Sequence, residues 1–309
     1  MLYYKDLSKL FFENYPREAD ELLFLSGYVG PSPIKQAMEL DLKVSIIYGM
    51  VKNNFQPQLH DQLIHLSKNE KLNIYYPDSE CHSKCYLWLK DNQPIKGFIG
   101  SANFSTNGLY TDYRETLLEV DQKQLFFLKS YVDLIKSQSQ KCGDLADGSL
   151  QKAPQTSAPC TLELFSTKTG QVAKSSGLNW GLGEKAHVNI NDAYVAIRVE
   201  HIKNYPNLFP PKKALIEERK NANEYIEIIW DDGEIMQALL EQSQEINSIK
   251  YPKAISSAPS KAELGKYLRR RIGAKEGELV TTDHLTKYGR NSIEVKKLEE
   301  GVYSFDFSI

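Results

Sequence analysis

Short continuous apolar runs alternate with amphipathic stretches through the first half of the chain. The pattern predicts strands at 22–29, 43–50 and 72–76, and helices at 34–40, 58–68 and 125–135. Apolar runs of about four to eight residues are typical of strands buried on both faces, whereas apolar positions three or four apart are typical of helices. Strands that alternate with helices predict βαβ units in a mixed or parallel sheet covered on both faces.

The second half of the chain has a different pattern, in which strand-like runs dominate. It predicts strands at 193–197, 224–230 and 301–307, a hairpin turn at Asp231-Asp232-Gly233 and one clear helix at 262–272. Strands separated by turn residues, with a helix or two, are typical of a β-barrel. The predicted fold class is therefore an α/β N-terminal domain followed by a mainly-β C-terminal domain.

A polar stretch at 137–169, rich in Ser, Gln, Lys, Gly, Asp and Pro, separates the two patterns. Weak periodicity and this composition indicate a linker. We place the domain boundary near 150–165, with one domain at 1–155 and the other at 165–309.

Composition limits the classes of protein that remain. The chain has 309 residues, is 41% hydrophobic and 25% charged, and carries a net charge of −2, which suits two soluble globular domains. No apolar run approaches the length that spans a bilayer, and the N-terminus lacks the layout of a signal peptide. The four cysteines are scattered without a Cys-x-x-Cys pair. These features predict a reduced cytoplasmic protein without a zinc site, in which any DNA-binding surface is local.

Candidate chemistry is concentrated beside two more predicted strands, at 85–89 and 95–99. His82-Ser83-Lys84 precedes the first of these strands and Gly100-Ser101-Ala102-Asn103 follows the second. Side chains two residues apart on a strand point to the same face, so an imidazole and an ammonium lie side by side. A nitrogen nucleophile, a fixed positive charge and neutral donors for phosphoryl oxygens are the groups that phosphodiester chemistry needs. A chance His-x-Lys is usually a solvated strand edge, but its pairing with Gly-Ser-x-Asn favours a functional site.

This pair of motifs closely resembles the signature of the phospholipase D superfamily. The match covers His82, Lys84, Gly100, Ser101 and Asn103. A carboxylate on the next strand usually completes such a site, and Glu115 is the best candidate here, with Glu119 as the fallback. Asp91 falls too late after the lysine to be given a catalytic role.

The C-terminal half contains candidate DNA contacts in its loops and on its helix. They are Ser175, Ser176, Asn179, Trp180, Lys185, Arg269, Arg270 and Arg290. Small residues allow close approach, Ser and Asn can bond base edges, and arginine can anchor phosphates. The alternatives are that Trp180 caps the barrel from a β-turn, and that the arginines form a solvated face on which at most one packs.

The Ser-Gly-Leu-Asn-Trp-Gly loop at 176–181, the Asp-Asp-Gly turn, Leu264 to Arg269 and Lys287 to Arg290 look like the C-terminal region of NgoFVII-type restriction endonucleases. With the catalytic motif, the resemblance covers residues 20–305. It implies a phospholipase-D-type nuclease domain joined to a DNA-binding pseudobarrel of the plant transcription factor type, acting on double-stranded DNA in a prokaryotic cytoplasm. The sequence departs from the family pattern after Gly181, which predicts different base preferences.

The resemblance also implies a mechanism, because the family's site is built from two motifs and this chain contains one. We therefore expect a homodimer in which His82 of one subunit attacks phosphorus and His82 of the other protonates the leaving 3′ oxygen. Lys84, Ser101 and Asn103 would hold the phosphate, and Glu115 would orient His82. No carboxylate cluster suited to magnesium accompanies the motif, so no metal or other cofactor is expected.

Two rival functions remain open at this point. One is a phospholipid-processing phosphodiesterase with the same site, against which stand the missing membrane anchor and the β-rich second domain. The other is a non-catalytic DNA-binding protein with a degenerate nuclease domain, against which stands the intact His/Lys/Ser/Asn set. Some relatives need a separate helicase or translocase subunit, and the sequence leaves that partner open.

Overall fold

The structure is a computed structural model that describes residues 1–52, 55–145, 159–183, 189–212 and 224–309. The chain divides into two compact units, one of 1–156 with 298–301 and the other of 157–297 with 302–309. The stretch predicted to hold the domain boundary includes residues outside the described ranges, so the boundaries at 155 and 165 stay a prediction.

The elements of unit 1 follow the predicted alternation of strands and helices. They are β1 (Leu2–Tyr3), α1 (Lys9–Phe12), β2 (Glu21–Ser26), α2 (Pro31–Ala37), β3 (Lys43–Tyr48), α3 (Pro57–Leu66), β4 (Leu72–Pro77), β5 (Cys85–Lys90), β6 (Gln93–Gly100), α4 (Thr106–Tyr110), β7 (Leu117–Glu119), α5 (Leu125–Ser137) and β8 (Ser139–Lys141). Proline begins both α2 and α3, where its missing N–H costs no helical hydrogen bond. Every strand and helix predicted in this half is present, with bounds that differ by a few residues.

Eight strands form one mixed sheet within the described part of unit 1, in the order β1-β7-β6-β5-β2-β3-β4-β8. Strands β2, β3 and β4 are parallel, and β5 runs antiparallel to β2. Strand β6 is antiparallel to β5, and β7 is antiparallel to β6. The end of β2, the beginning of β5 and the end of β6 therefore meet at one edge of the sheet.

Both faces of the central strands are buried, which explains their continuous apolar runs. On β5, Tyr86 and Trp88 face one side, where they pack on Phe11. Leu87 faces the opposite side of the sheet, where Cys85, Leu87 and Leu89 form a core with residues of α5. Burial on two faces favours the non-alternating pattern by which these strands were predicted.

The described elements of unit 2 are mostly strands. They are β9 (Cys160–Glu163), β10 (Val195–Ala196), α6 (Val199–Asn204), β11 (Glu224–Trp230), β12 (Ile235–Glu241), β13 (Gln244–Ile246), β14 (Ile249–Tyr251), β15 (Ala254–Ser257), α7 (Ala262–Ile272), α8 (Thr282–Tyr288), β16 (Ser292–Glu299) and β17 (Val302–Asp306). Seven of the described strands form one sheet in the order β10-β15-β12-β11-β17-β16-β9, and its two end strands approach each other, so the sheet is a nearly closed barrel.

The strands, the turn and the helix predicted for this half are present in the structure. The Asp231-Asp232-Gly233 turn joins β11 to β12, with Gly233 at a φ of 85° that suits glycine. Strand β11 and helix α7 have the predicted bounds. The prediction of one clear helix was too low, because α6 and α8 are short helices that the residue pattern did not separate from loops. None of the helices in the described ranges is long and apolar enough to cross a membrane.

Candidate active site

The motif residues meet at the sheet edge where β2 ends and β5 begins. Gly27 follows β2, the His82-Ser83-Lys84 segment precedes β5, and Gly100 ends β6. The strands run antiparallel from β2 to β5 and from β5 to β6, so these three points are neighbours. The sheet register thus brings together motifs that lie far apart in the chain.

Gly27 is the point on which the candidate catalytic side chains converge. A Cβ atom added at Gly27 would lie 2.7 Å from His82 Cδ2, 3.1 Å from Lys84 Nζ and 3.3 Å from Asn103 Oδ1. A side chain at position 27 would therefore crowd all three groups, and glycine lets them approach the backbone closely. The geometry places an imidazole, an ammonium and an amide around a single small space.

His82 and Lys84 form a hydrogen-bonded pair. Lys84 Nζ lies 3.0 Å from His82 Nε2 and donates to the His82 carbonyl oxygen at 2.6 Å. His82 is exposed, whereas Lys84 is only 7% exposed. The tautomer that accepts from the ammonium has an unprotonated Nε2, which is the form of imidazole that can act as a nucleophile.

The electrostatic environment favours that neutral imidazole. Burial lowers the pKa of His82, and the Lys84 charge lowers it further. Burial also lowers the pKa of Lys84, while the nearby Glu115 carboxylate acts in the opposite direction. At neutral pH the pair therefore presents a neutral imidazole whose Nε2 lone pair faces the positive charge of Lys84.

Asn103 and Ser101 are oriented by backbone amides. Asn103 Oδ1 accepts from the Tyr28 N–H at 3.1 Å, which turns its NH₂ group away from Tyr28. Ser101 Oγ accepts from the Thr116 N–H at 3.0 Å, and its hydroxyl proton remains a donor. Both side chains therefore offer donors of the kind that stabilises phosphoryl oxygens.

Glu115 lies where its charge acts on Lys84 rather than on His82. It is half-buried in the loop before β7, and no hydrogen bond links these two described side chains, Glu115 and His82. The expected orientation of His82 by Glu115 does not occur in this structure. The fallback, Glu119, accepts a hydrogen bond from Tyr3 at 3.1 Å on β1.

Tyr131 on α5 contacts both residues that flank His82. Its hydroxyl lies 2.9 Å from Ser83 Oγ and 3.2 Å from Cys81 Sγ. Residues 81 and 83 point to the face opposite His82 and Lys84 because side chains alternate along an extended segment. Tyr131 therefore fixes the backbone of the motif from behind.

Neither Tyr131 nor Gly27 was predicted as part of the site. The Gly at the end of the 22–29 run was visible as a strand terminus, but its closeness to His82 depends on the β2–β5 register. Tyr131 lies on an ordinary amphipathic helix, and nothing in its local sequence distinguishes it from a packing residue.

In unit 2, the loop that begins at Ser175 has a mixture of exposed and packed residues. Ser175 is exposed and Ser176 is half-buried, so both remain candidates for DNA contact. Trp180 lies edge-on to Tyr194 with 5.8 Å between ring centroids, and the Lys261 ammonium lies 4.7 Å from its ring. Trp180 therefore packs in part against other residues of its own unit, in line with the alternative interpretation that it caps the barrel.

Asn179 is a structural residue, which corrects its prediction as a base reader. The side chain is completely buried. Its NH₂ group donates to the carbonyl oxygens of Ala173 and Val280 at 2.9 and 2.8 Å, and its Oδ1 accepts from the Val280 N–H at 2.8 Å. With these bonds made, the amide has no access to a base edge.

Arg269 is also structural, which corrects its prediction as a DNA contact. It is 1% exposed, and its guanidinium donates to the carbonyl oxygens of Glu278, Gly265 and Leu178 at 3.0–3.3 Å. Its burial lowers the pKa of the guanidinium. The sequence did indicate that Arg269 is buried. Its helical spacing places it on the apolar face of α7 that contains Leu264, Leu268 and Ile272.

The other two arginines of α7 differ from each other. Arg271 pairs with Asp231 at 2.7 Å and donates to the Tyr267 hydroxyl at 2.7 Å. Arg270 is exposed, with its guanidinium 5.4 Å from the centroid of the Tyr267 ring. Two arginines of the run therefore pack, so the expectation of at most one was wrong, and Arg270 remains the available cation.

Arg290 is held by its own unit. It pairs with Asp306 at 2.9 Å and Glu294 at 3.4 Å, and donates to the Ser308 carbonyl oxygen at 2.6 Å. A phosphate would have to compete with two carboxylates for this guanidinium, so the structure does not support the predicted role. Lys185, the last predicted contact, lies outside the described residues.

Two family models match this chain. Residues 5–145 match the NgoFVII restriction endonuclease N-terminal PLD domain, and residues 154–299 match the NgoFVII C-terminal B3-like DNA-binding domain. A phospholipase-D-type nuclease domain followed by a DNA-binding domain defines a phosphodiesterase that acts on DNA. The chain belongs to the NgoFVII family of restriction endonucleases. No curated protein matches it.

Three solved structures are similar to part of this chain. NucT from Helicobacter pylori is 19% identical, with 40% of this chain and 84% of that chain covered and a TM-score of 0.32. Nuc from Salmonella typhimurium, a phospholipase D family member, is 14% identical, with 44% and 87% covered and a TM-score of 0.34. Polyphosphate kinase from Porphyromonas gingivalis is 15% identical, with 51% and 26% covered and a TM-score of 0.34.

Proposed function

We propose that this chain is a sequence-specific type II restriction endonuclease that hydrolyses double-stranded DNA through a phosphohistidine intermediate at a dimeric, metal-independent site. The convergence of His82, Lys84 and Asn103 beside Gly27 is the observation that supports this proposal. Residues 1–155 would form the catalytic domain and residues 165–309 the DNA-reading domain. The protein would act on DNA in a prokaryotic cytoplasm.

The first step is an in-line attack by His82 on the scissile phosphorus. The Nε2 lone pair forms the P–N bond while the P–O3′ bond breaks, and the 3′ oxygen takes a proton from the partner subunit's His82. Lys84 and the donors on Ser101 and Asn103 bind the non-bridging oxygens, whose negative charge increases in the pentacovalent state. The lowered pKa of His82 favours the neutral form of the attacking ring, and the partner subunit's His82 enters this step as the protonated imidazolium.

The second step is hydrolysis of the phosphohistidine. The partner subunit's His82, now neutral, takes a proton from water as the water oxygen attacks phosphorus, and the P–N bond breaks with its electrons returning to Nε2. The products are a 5′-phosphate and a 3′-hydroxyl. One site per dimer would cut the two strands one after the other.

Metal independence is proposed because the Lys84 ammonium already supplies, beside the imidazole, the positive charge that a metal ion could otherwise provide. Lys84 Nζ lies within 3.0 Å of the imidazole. Among the described residues, no group of three or more His, Cys, Asp or Glu side chains could hold a metal ion. Glu115 would act by tuning Lys84, since its charge works on that ammonium.

The test is digestion of plasmid DNA in the presence of chelator by the wild type, His82→Ala and His65→Ala. His65 is an exposed histidine on α3 and serves as the matched control. We expect the wild type and the control to cut, and His82→Ala to lose cleavage by at least about three orders of magnitude, as expected for a nucleophile. Acid-labile phosphate on His82 after quenching would identify the intermediate.

Other outcomes of the same test would support other functions. Lipid turnover without DNA cutting would indicate a phospholipid-processing phosphodiesterase, and DNA binding without cutting would indicate a non-catalytic protein. Cleavage that returns only with magnesium would contradict metal independence. Cleavage that requires ATP and a further subunit would indicate a separate translocase, the partner that the sequence leaves open.

A further inference from the structure

His82 is an exposed side chain whose ring has to be held in place if it is to attack phosphorus. Its Nε2 atom faces the Lys84 ammonium 3.0 Å away. That contact uses the Nε2 lone pair, so it has to be given up when the same lone pair forms the P–N bond. Glu115, whose charge acts on Lys84, does not orient the ring. A further contact, one that leaves Nε2 free, is therefore needed during the attack.

Tyr28 makes a contact of this kind with His82. The two rings lie edge to face, with 5.7 Å between their centroids and an angle of 75° between their planes. Aromatic pairs favour this arrangement at centroid distances of about 4.5–7 Å. The contact needs no lone pair, so it can persist whether Nε2 faces the ammonium or is bonded to phosphorus.

The backbone of Tyr28 is fixed on both sides by hydrogen bonds. Its N–H donates to Asn103 Oδ1 at 3.1 Å, and its carbonyl oxygen accepts from Ser26 Oγ. Ser26 Oγ also accepts from the Phe104 N–H at 2.9 Å. Ser26 is completely buried, and hydrogen bonds shielded from water hold their partners firmly. The position of Tyr28 is therefore set by the fold before any DNA binds.

The segment that carries Tyr28 runs beside the loop that carries Asn103. Val29 and Phe104 form a parallel bridge, and the Gly30 N–H donates to the Phe104 carbonyl oxygen at 2.8 Å. Gly27, on the other side of Tyr28, lets the His82 ring approach the backbone closely. One short stretch of chain therefore orients both a phosphate-binding amide and the aromatic ring beside the nucleophile.

The electrostatic environment of Tyr28 keeps its hydroxyl protonated. Burial raises the pKa of this phenol, and the carboxylates of Glu299 and Glu80 raise it further. At the pH where His82 is a neutral nucleophile, Tyr28 is therefore neither a base nor a competing nucleophile. Its ring, rather than its proton, is the part that acts on His82.

We propose that Tyr28 is a positioning residue, whose ring holds the His82 imidazole in the orientation for in-line attack while Lys84 turns to the phosphate. This inference rests on the proposed function, in which His82 is the nucleophile. It gives Tyr28 the orienting role that the sequence had suggested for Glu115. A rigid aromatic contact does this at low entropic cost, because a correctly held ring is already close to the reactive geometry.

The test compares the full-length wild type with Tyr28→Phe, Tyr28→Leu and the control Tyr3→Leu. Tyr3 is a matched control, because its ring meets Phe98 edge to face at 5.7 Å and 74°, and strands β7 and β6 separate β1 from β5. Duplex cleavage gives kcat and KM, and thermal unfolding checks the fold. We expect Tyr28→Leu to lose roughly tenfold in kcat with KM unchanged, and Tyr28→Phe and the control to stay within about twofold of the wild type.

A second measurement reports the ring contact without DNA and without activity. In NMR spectra of the wild type we expect a nuclear Overhauser contact between the ring protons of His82 and Tyr28. The His82 ring-proton signals should move in Tyr28→Leu and stay in place in Tyr28→Phe, because phenylalanine keeps the aromatic ring. This measurement on the wild type also decides the matter if Tyr28→Leu does not fold, since a missing ring contact would remove the basis of the inference.

Several results would overturn the inference, and they are distinguishable from failure of the proposed function. A folded Tyr28→Leu with the wild-type kcat, in an enzyme that cuts DNA, would show that Tyr28 does not position the nucleophile. A raised KM in Tyr28→Phe would make the hydroxyl a DNA contact instead. An equal loss of kcat in Tyr3→Leu would show a general effect of lost packing. A wild type that cuts no DNA would refute the proposed function itself.

Discussion

Replacing Gly27 by alanine tests the candidate site with the smallest possible change. The new methyl carbon would lie 2.7 Å from His82 Cδ2, 3.1 Å from Lys84 Nζ and 3.3 Å from Asn103 Oδ1. Carbon atoms in contact normally lie about 3.5–4.0 Å apart, so the imidazole would have to move by roughly 1 Å. The lysine and the amide would shift by smaller amounts.

The size of the expected effect follows from that displacement. A misplacement of about 1 Å at a reacting group costs on the order of 100-fold in rate, or about 2.7 kcal/mol of activation free energy. His82 is exposed, so its ring can move toward solvent without disturbing the core. We therefore expect Gly27→Ala to cut DNA about 100-fold more slowly, while its free energy of unfolding changes by less than about 1 kcal/mol.

The assay is single-turnover cleavage of a duplex, combined with a gel-shift measurement of DNA affinity and a thermal unfolding curve. Gly143→Ala is the matched control, because a Cβ at Gly143 would meet nothing within 4 Å. We expect the control to cut at the wild-type rate and both variants to bind DNA normally. Wild-type cleavage by folded Gly27→Ala would show that these three side chains do not act together, and the catalytic assignment would then be wrong.

Three further predictions concern the pKa of His82, the contacts of Tyr131 and the burial of Asn179. Because burial and, after it, the Lys84 charge lower the pKa of His82, the acid limb of the cleavage profile should fall below about pH 6.5, the ordinary histidine value. In Lys84→Met the histidine pKa should rise, and an unchanged NMR titration of His82 would contradict this. Tyr131→Phe removes the hydrogen bonds to the two residues that flank His82. We therefore expect kcat to fall roughly tenfold with KM unchanged. An unaltered kcat would refute the positioning role of Tyr131. Asn179→Ala leaves three buried polar groups unpaired and should cost about 3 kcal/mol in urea unfolding, unlike the exposed control Ser175→Ala. A loss of DNA affinity without loss of stability in Asn179→Ala would restore its role as a base reader.

The elements that sequence predicted best are those with unambiguous local patterns. Strands β2, β3 and β5 are continuous apolar runs because both of their faces are buried, and α7 combines an apolar stripe with a glycine that ends it. The short elements α1 and β1 were not predicted. Segments of two to four residues carry too little periodicity to be told from a loop.

The family and the chemistry of the site were also decided by the sequence alone. His82 and Lys84 lie two residues apart, and Gly100, Ser101 and Asn103 form a compact motif, so their types and spacing can be read without coordinates. For short motifs of this kind, the residue types and their spacing along the chain are enough to indicate the function.

Only the tertiary structure decided which polar residues are available and which are structural. Asn179 and Arg269 look like DNA contacts in the sequence, but each bonds atoms far along the chain and is buried. Gly27 and Tyr131 have ordinary local sequences, yet the sheet register brings Gly27 beside His82 and the packing of α5 brings Tyr131 beside Ser83. Burial and partners at long range depend on how the chain folds back on itself, and local residue patterns contain little of that information.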